Sequence, residues 1–154
     1  MEGNRTVSQL ADDNSPESVI SRYINAMSAG DFAAGMAHFA DDIVGVVPGR
    51  SDLAGEYRGR AEVERYINTV LSRATGDVRV VRIDTLIGRN HVALMVEEHL
   101  NDDVVIHRTN VYQIRHGKIV EIRIFEGDQY AVDEHFGGLP TDSGTPPGPR
   151  VGYR

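Results

Sequence analysis

The stretch that decides the fold is His107-Arg-Thr-Asn-Val-Tyr-Gln-Ile-Arg-His-Gly-Lys-Ile-Val-Glu-Ile-Arg-Ile-Phe-Glu126. It reads as two long strands joined by a tight turn at His116-Gly117, because β-branched and aromatic residues alternate with polar ones. Side chains on a strand point the same way every second residue, so a regular hairpin puts Asn110 and Glu126 on one face. An amide and a carboxylate facing a concave apolar surface make a site. Facing water, they make an ordinary solvated sheet.

Working outward, breaks at Gly88-Arg89-Asn90 and Asn101-Asp102-Asp103 delimit strands over 78–88, 91–100 and 104–115, with 118–126 following the turn. Upstream, Arg60 to Ala74 reads as a helix with Val63, Tyr66, Ile67, Val70 and Leu71 along one side. Residues 48–59 read as a loop, and Ile43 to Val47 as a short buried strand between an Asp41-Asp42 turn and Pro48-Gly49. Ser15 can cap a first helix whose first turn accepts Pro16, and Val19, Ile20, Tyr23, Ile24 and Met27 then keep helical spacing as far as Gly30. Asp31 can cap a second short helix from Phe32 to Phe39, and 129–136 reads as a last one. Residues 1–14 read as a flexible leader and 137–154 as a Gly/Pro-rich tail, leaving 15–136 as a single domain. Helices around one early strand, followed by an antiparallel meander, predict an α+β fold. A curved antiparallel or mixed sheet wraps the N-terminal helices and leaves a pocket between the layers.

Composition narrows the class. The chain has 154 residues, 40% of them hydrophobic, and a domain of this size buries roughly 68–70% of its unfolded surface without help from metals or disulfides. A formal charge of −7 argues against nucleic acid, whose phosphates need clustered Lys and Arg. The absence of cysteine removes thiol nucleophiles and thiolate metal sites. Met1-Glu-Gly-Asn-Arg lacks a signal-peptide pattern, and no apolar run approaches the ~18 residues of a membrane span. The expectation is a cytoplasmic protein with no membrane partner.

Three segments carry a family resemblance: Arg22-Tyr23-Ile24 with Ala29-Gly30-Asp31, then Phe39-Ala40-Asp41-Asp42, then Asn110-Val111-Tyr112 running into Gly117-Lys118-Ile119-Val120. Over about 16–136 the chain resembles the nuclear transport factor 2-like superfamily of cone-shaped α+β barrels. That group includes ketosteroid isomerases, limonene epoxide hydrolases, scytalone dehydratases and SnoaL-like polyketide cyclases. It hosts many reactions, so the resemblance specifies the fold better than the chemistry. Tyr23 matches the isomerase tyrosine that donates to the substrate oxyanion, and Asn110 falls where that enzyme keeps its second oxyanion donor, a protonated aspartic acid. The isomerase's general base falls on Val47, which cannot take a proton. The strand-five Asp of the epoxide hydrolase and the acid of the cyclases both fall on Ile124, while the hydrolase's Arg and second Asp fall near Glu97 and His99. His107-x-x-Asn110 is similar to the dehydratase strand that carries its substrate-binding Asn. The resemblance also implies a homodimer through the outer sheet face.

The candidate catalytic set is Tyr23, Asn110, Glu126 and His99. Glu126 ends an apolar stripe after Ile122 and Ile124, an environment that raises a carboxyl toward the range of general acids and bases. It pairs equally well with Arg108, which could alternatively bind a substrate carboxylate. Glu97 and His99 share one strand face and form a proton-transfer couple if Ala93 and Met95 point inward; Val92, Leu94 and Val96 are the more apolar set. Arg108, Tyr112, Ile124, Val47 and Glu97 are the candidate substrate-binding residues. Glu97-Glu98-His99 lacks a second ligand pair at a supporting spacing, so neither a metal nor a cofactor is expected. Together these residues predict a cofactor-independent enzyme that moves protons on an apolar polyketide- or terpenoid-like molecule as an isomerase, dehydratase or cyclase. The alternatives are a non-catalytic binding module of the same fold and an epoxide-opening enzyme built on Glu97, His99 and Glu126.

Overall fold

The computed structural model describes residues 13–73, 79–101 and 104–137. The expected leader and tail lie almost wholly outside these residues. The elements run α1 (Pro16–Ser28), α2 (Phe32–Met36), β1 (Phe39–Val47), β2 (Gly55–Arg58), α3 (Arg60–Arg73), β3 (Arg79–Ile87), β4 (His91–Asn101), β5 (Val104–Arg115), β6 (Lys118–Glu126) and α4 (Gln129–Phe136).

Local chemistry sets the helix ends. Ser15 Oγ accepts from the Ser18 amide at 3.2 Å, and Pro16, lacking an N–H, costs nothing in the first turn. Asp31 and Asp128 cap α2 and α4 the same way, each accepting at 3.1 Å from the amide three residues on. The second helix stops at Met36, short of the expected Phe39, because the chain from Phe39 is already strand. Asp41 and Asp42, expected as a turn, lie exposed within β1. The expected loop over 48–59 holds a further strand, β2, whose Gly55 to Arg58 pair antiparallel with Val44 to Val47.

The six strands form one mixed sheet in the order β2-β1-β6-β5-β4-β3. All neighbours are antiparallel except β1 and β6, which run parallel after a long crossover. The sheet stays open, with β2 and β3 as its edges, so the α+β expectation holds without barrel closure. His116 at φ 49° and Gly117 at φ 72° make the tight β5–β6 turn, where positive φ at both positions matches the strand twist.

Helix α1 packs on β4 and β5, and α3 on β1 and β2. Val19, Ile20 and Tyr23 from α1 meet Phe39, Ile43, Val92, Leu94, Val96, Tyr112, Ile114 and Ile119 from the sheet, with Val63 from α3. Each fully buried aliphatic side chain contributes about 1.5–3 kcal/mol. This core fixes which sheet face is inner. On β4 it is the face of Val92, Leu94 and Val96, each at most 4% exposed.

Candidate active site

Inward-facing positions on β5 carry a line of polar side chains: Arg108, Asn110 and Tyr112. Register puts Glu126 opposite Arg108, Ile124 opposite Asn110 and Ile122 opposite Tyr112 on β6. On β4, Val96 stands opposite Arg108 and Leu94 opposite Asn110. The alternation read in the sequence therefore does bring Asn110 and Glu126 to one face, and that face is the buried one.

At one end of this line the Arg108 guanidinium grips Glu126 with two hydrogen bonds, Nη2 to Oε1 at 2.9 Å and Nε to Oε2 at 3.1 Å. Its Nη1 reaches Glu98 Oε2 at 3.1 Å. The Arg108 and Glu126 side chains are only 8% and 2% exposed, so this is a buried cluster of two carboxylates on one cation. Burial alone would lower the arginine's proton affinity, but Glu98 and Glu126 hold it raised. Burial pushes the Glu126 carboxyl above its ordinary value despite the opposing pull of Arg108. Tyr66 of α3 stands close enough to feel these charges: burial raises its hydroxyl, Arg108 lowers it, and Glu126 and Glu98 raise it.

At the other end the rings of Tyr23 and Tyr112 lie 5.7 Å apart. Burial pushes the Tyr23 hydroxyl up to about 12, and hydrogen bonding from Tyr112 offsets part of that rise. Tyr112 is raised well above its usual range by burial, and a hydrogen bond from Asn110 works against it. Asn110 Oδ1 is buried with no hydrogen-bond partner.

The remaining candidates fall elsewhere. Ile124 is buried at 8% beside Asn110, and Val47 ends β1 half-buried. Glu97 and His99 stand on the outer face, because β4 turns Val92, Leu94 and Val96 inward. There His99 Nε2 contacts Glu97 Oε1 at 2.5 Å, and His107 Nδ1 lies 3.9 Å from Glu97 Oε2. The sheet separates this couple from Tyr23, Asn110 and Glu126. Arg108 has its fork filled by the chain's own carboxylates, so it does not offer that fork to a substrate carboxylate. Two residues, one in the cluster and one near it, are not among the candidates named from the sequence. Glu98 ends the stripe Val92, Leu94, Val96 at alternate positions, and Tyr66 lies on the apolar side of α3; both signals were present. Among the described residues, no three His, Asp or Glu side chains are grouped as metal ligands. No helix among them is long and apolar enough to cross a membrane.

Helix α4 is tied to the segment after β1, to α3 and to the start of β5. Asp133 Oδ1 accepts from the Arg50 and Ser51 amides at 3.0 and 3.2 Å and from Gln129 Nε2 at 3.1 Å. Arg73, at the end of α3, forks onto Asp52 at 2.7 and 2.8 Å and also donates to the Phe136 carbonyl at 3.0 Å. Val132 packs on Ile106 at the start of β5.

Residues 20–122 match the SnoaL-like domain, and the chain belongs to that family. Its fold is that of the nuclear transport factor 2-like superfamily. It is similar to a protein of unknown function with a cystatin-like fold from Xanthomonas campestris, at 25% identity and a TM-score of 0.73, covering 80% of this chain and 99% of that one. It is also similar to a nuclear transport factor 2-like protein from Burkholderia xenovorans, at 19% identity and a TM-score of 0.63, covering 79% and 95%. TerC, co-crystallised with polyporic acid, shares the fold at 15% identity and a TM-score of 0.67, covering 79% and 97%. No curated protein sequence matches the chain significantly.

Proposed function

We propose that this chain is a cofactor-independent enzyme that moves a proton on an apolar, oxygen-bearing small molecule bound between the helices and the inner sheet face. The observation that carries this reading is the line of Glu126, Asn110, Tyr112 and Tyr23 along the inner sheet face, with the Tyr23 and Tyr112 rings 5.7 Å apart. The Tyr23 hydroxyl, at the end of that line, polarises a ligand carbonyl. Glu126, on the same face and raised by burial, is the acid or base. The reaction class is isomerisation, dehydration or cyclisation, in which an enolate-like oxyanion develops and a proton changes place. TerC's co-crystal with polyporic acid supports a small organic ligand on this fold.

The test is solvent exchange. In heavy water the protein should catalyse deuterium incorporation into an enolisable apolar ketone such as β-tetralone, followed by proton NMR. Glu126→Gln should slow that exchange about 10²–10⁴-fold. Unchanged exchange in the variant would remove Glu126 from the mechanism, and an absence of protein-dependent exchange across a panel of such ketones would sink the catalytic reading.

A second reading, a binding module without chemistry, is favoured by one specific feature: the Arg108 fork occupies both Glu126 oxygens. The proposal also includes a homodimer. Val81, Leu86, Met95, Val105 and Phe125 are exposed apolar side chains that share the outer sheet face by register, and a second copy of the chain would cover them.

A further inference from the structure

A cavity of about 540 Å³, within the size range of small-molecule sites, opens where the first half of β6 meets β1 and β5. Two bulges in the sheet make it. β1 runs from Phe39 to Val44 while its partner β6 advances only from Ile119 to Glu121, so Asp42 lies in a stretch without register partners. On the other side of β6, Val120 is passed over between the partners of Gln113 and Ile114. A bulge re-aims the side chains it carries, and bulges gather beside binding sites. The β5–β6 turn adds His116, which lines the cavity and is held at φ 49°, where Asn or Gly is the usual choice. Gln113 and Arg115 alternate with the buried Tyr112 and Ile114, so the cavity opens on the outer sheet face. It lies at the opposite end of β5 and β6 from Val105 and Phe125.

The cavity wall is divided by charge. Arg115 and Lys118 flank the turn, while Asp42 and Glu121 stand on β1 and β6. Two of these four are already engaged: Glu121 pairs with Arg123 at 3.1 Å, and Lys118 Nζ donates to the Ala37 carbonyl at 2.7 Å. Among the described residues, the side chains of Asp42 and Arg115 have no ion-pair or hydrogen-bond partner. One cation and one anion therefore face the same space unpaired. β6 lies between their strands, which puts those strands about 9–10 Å apart. An extended peptide covers that distance in two to three residues, at about 3.3–3.6 Å each. Val44 and Val120 supply apolar wall between the two charges. We infer that this cavity binds a small zwitterion, a free peptide of two or three residues, with its carboxylate on Arg115 and its ammonium on Asp42. The sheet separates this site from Tyr23 and Glu126, so it stands or falls independently of the proposed proton transfer.

The test uses trialanine and its two blocked forms. Titrated to millimolar concentration at neutral pH, trialanine should give saturable shifts of the Gln113, Arg115, Val120 and Glu121 amide signals in nitrogen–proton correlation NMR spectra. N-acetyl-trialanine lacks the ammonium and trialanine amide lacks the carboxylate, and each should bind roughly 10-fold more weakly. Arg115→Gln should weaken trialanine by about the same factor and bind the amide as well as the acid. Asp42→Asn should do likewise for the acetylated form. Both side chains are exposed, so neither substitution disturbs the core. No saturable shift of these amides with trialanine, blocked peptides that bind as well as the free one, or variants that keep the wild-type discrimination would each overturn the inference. Sensitivity to one terminus alone would mark a site for an ion of a single sign and overturn the zwitterion.

Discussion

Arg108 and Glu126 face each other across β5 and β6 in direct register, and the guanidinium holds the carboxylate by two hydrogen bonds of 2.9 and 3.1 Å with both side chains almost fully buried. With Glu98 on the third nitrogen, two carboxylates share one cation in the protein's interior. Such a cluster is expensive to desolvate and more expensive to break, which makes it the most sensitive point of the structure.

Removing the cation tests that sensitivity. Arg108→Met strands Glu98 and Glu126, and should cost about 3–5 kcal/mol of stability at neutral pH in urea denaturation. Adding Glu98→Gln and Glu126→Met to the same chain should recover most of the loss, since replacing a whole buried ionic cluster by neutral groups approaches neutrality. A loss below ~1 kcal/mol for the single variant would mark the cluster as hydrated.

Titration gives a second check. Glu126 is raised above its ordinary value of 4.5, chiefly by burial. The folded protein therefore holds this proton more tightly than the unfolded chain does, and the group favours folding most below the ordinary value. That contribution is lost as pH rises through the raised value. Over this window the wild type should lose stability with rising pH more steeply than Glu126→Gln, measured by urea midpoints at a series of pH values. Parallel curves would mean that Glu126 has the same proton affinity folded and unfolded.

Asp133 ties α4 to the segment after β1 by accepting from the Arg50 and Ser51 amides. Asp133→Ala leaves those amides without their acceptor and should lower stability by about 1–3 kcal/mol, read as a fall in Tm. Asp133→Asn keeps an oxygen in place and should lose less. Equal losses would show that the carboxylate charge, rather than the hydrogen bonds, holds the contact.

The outer face carries Met95 and Phe125 exposed across the strands from Thr109. If a second copy covers this face, sedimentation should give a dimer at micromolar concentration, and Met95→Glu with Phe125→Lys should yield a folded monomer. A wild-type monomer at that concentration would end the homodimer proposal.

The sequence by itself determined the elements whose pattern is local. Ser15, Asp31 and Asp128 cap the helices as short oxygen-bearing side chains do, His116-Gly117 makes the hairpin, and strict alternation from Arg108 to Tyr112 puts those residues with Glu126 on one face. It missed β2, because Gly55 to Arg58 is a short, mostly exposed edge strand with no apolar alternation to betray it. The family resemblance assigned Asn110 as a donor, and no local pattern says which end of an amide faces inward. Tertiary structure alone decided that: Oδ1 is the atom buried without a partner. Packing likewise decided the face of β4. Val92, Leu94 and Val96 bury more apolar surface against α1 than Ala93 and Met95 could, so Glu98 joins Arg108 inside while Glu97 and His99 meet outside.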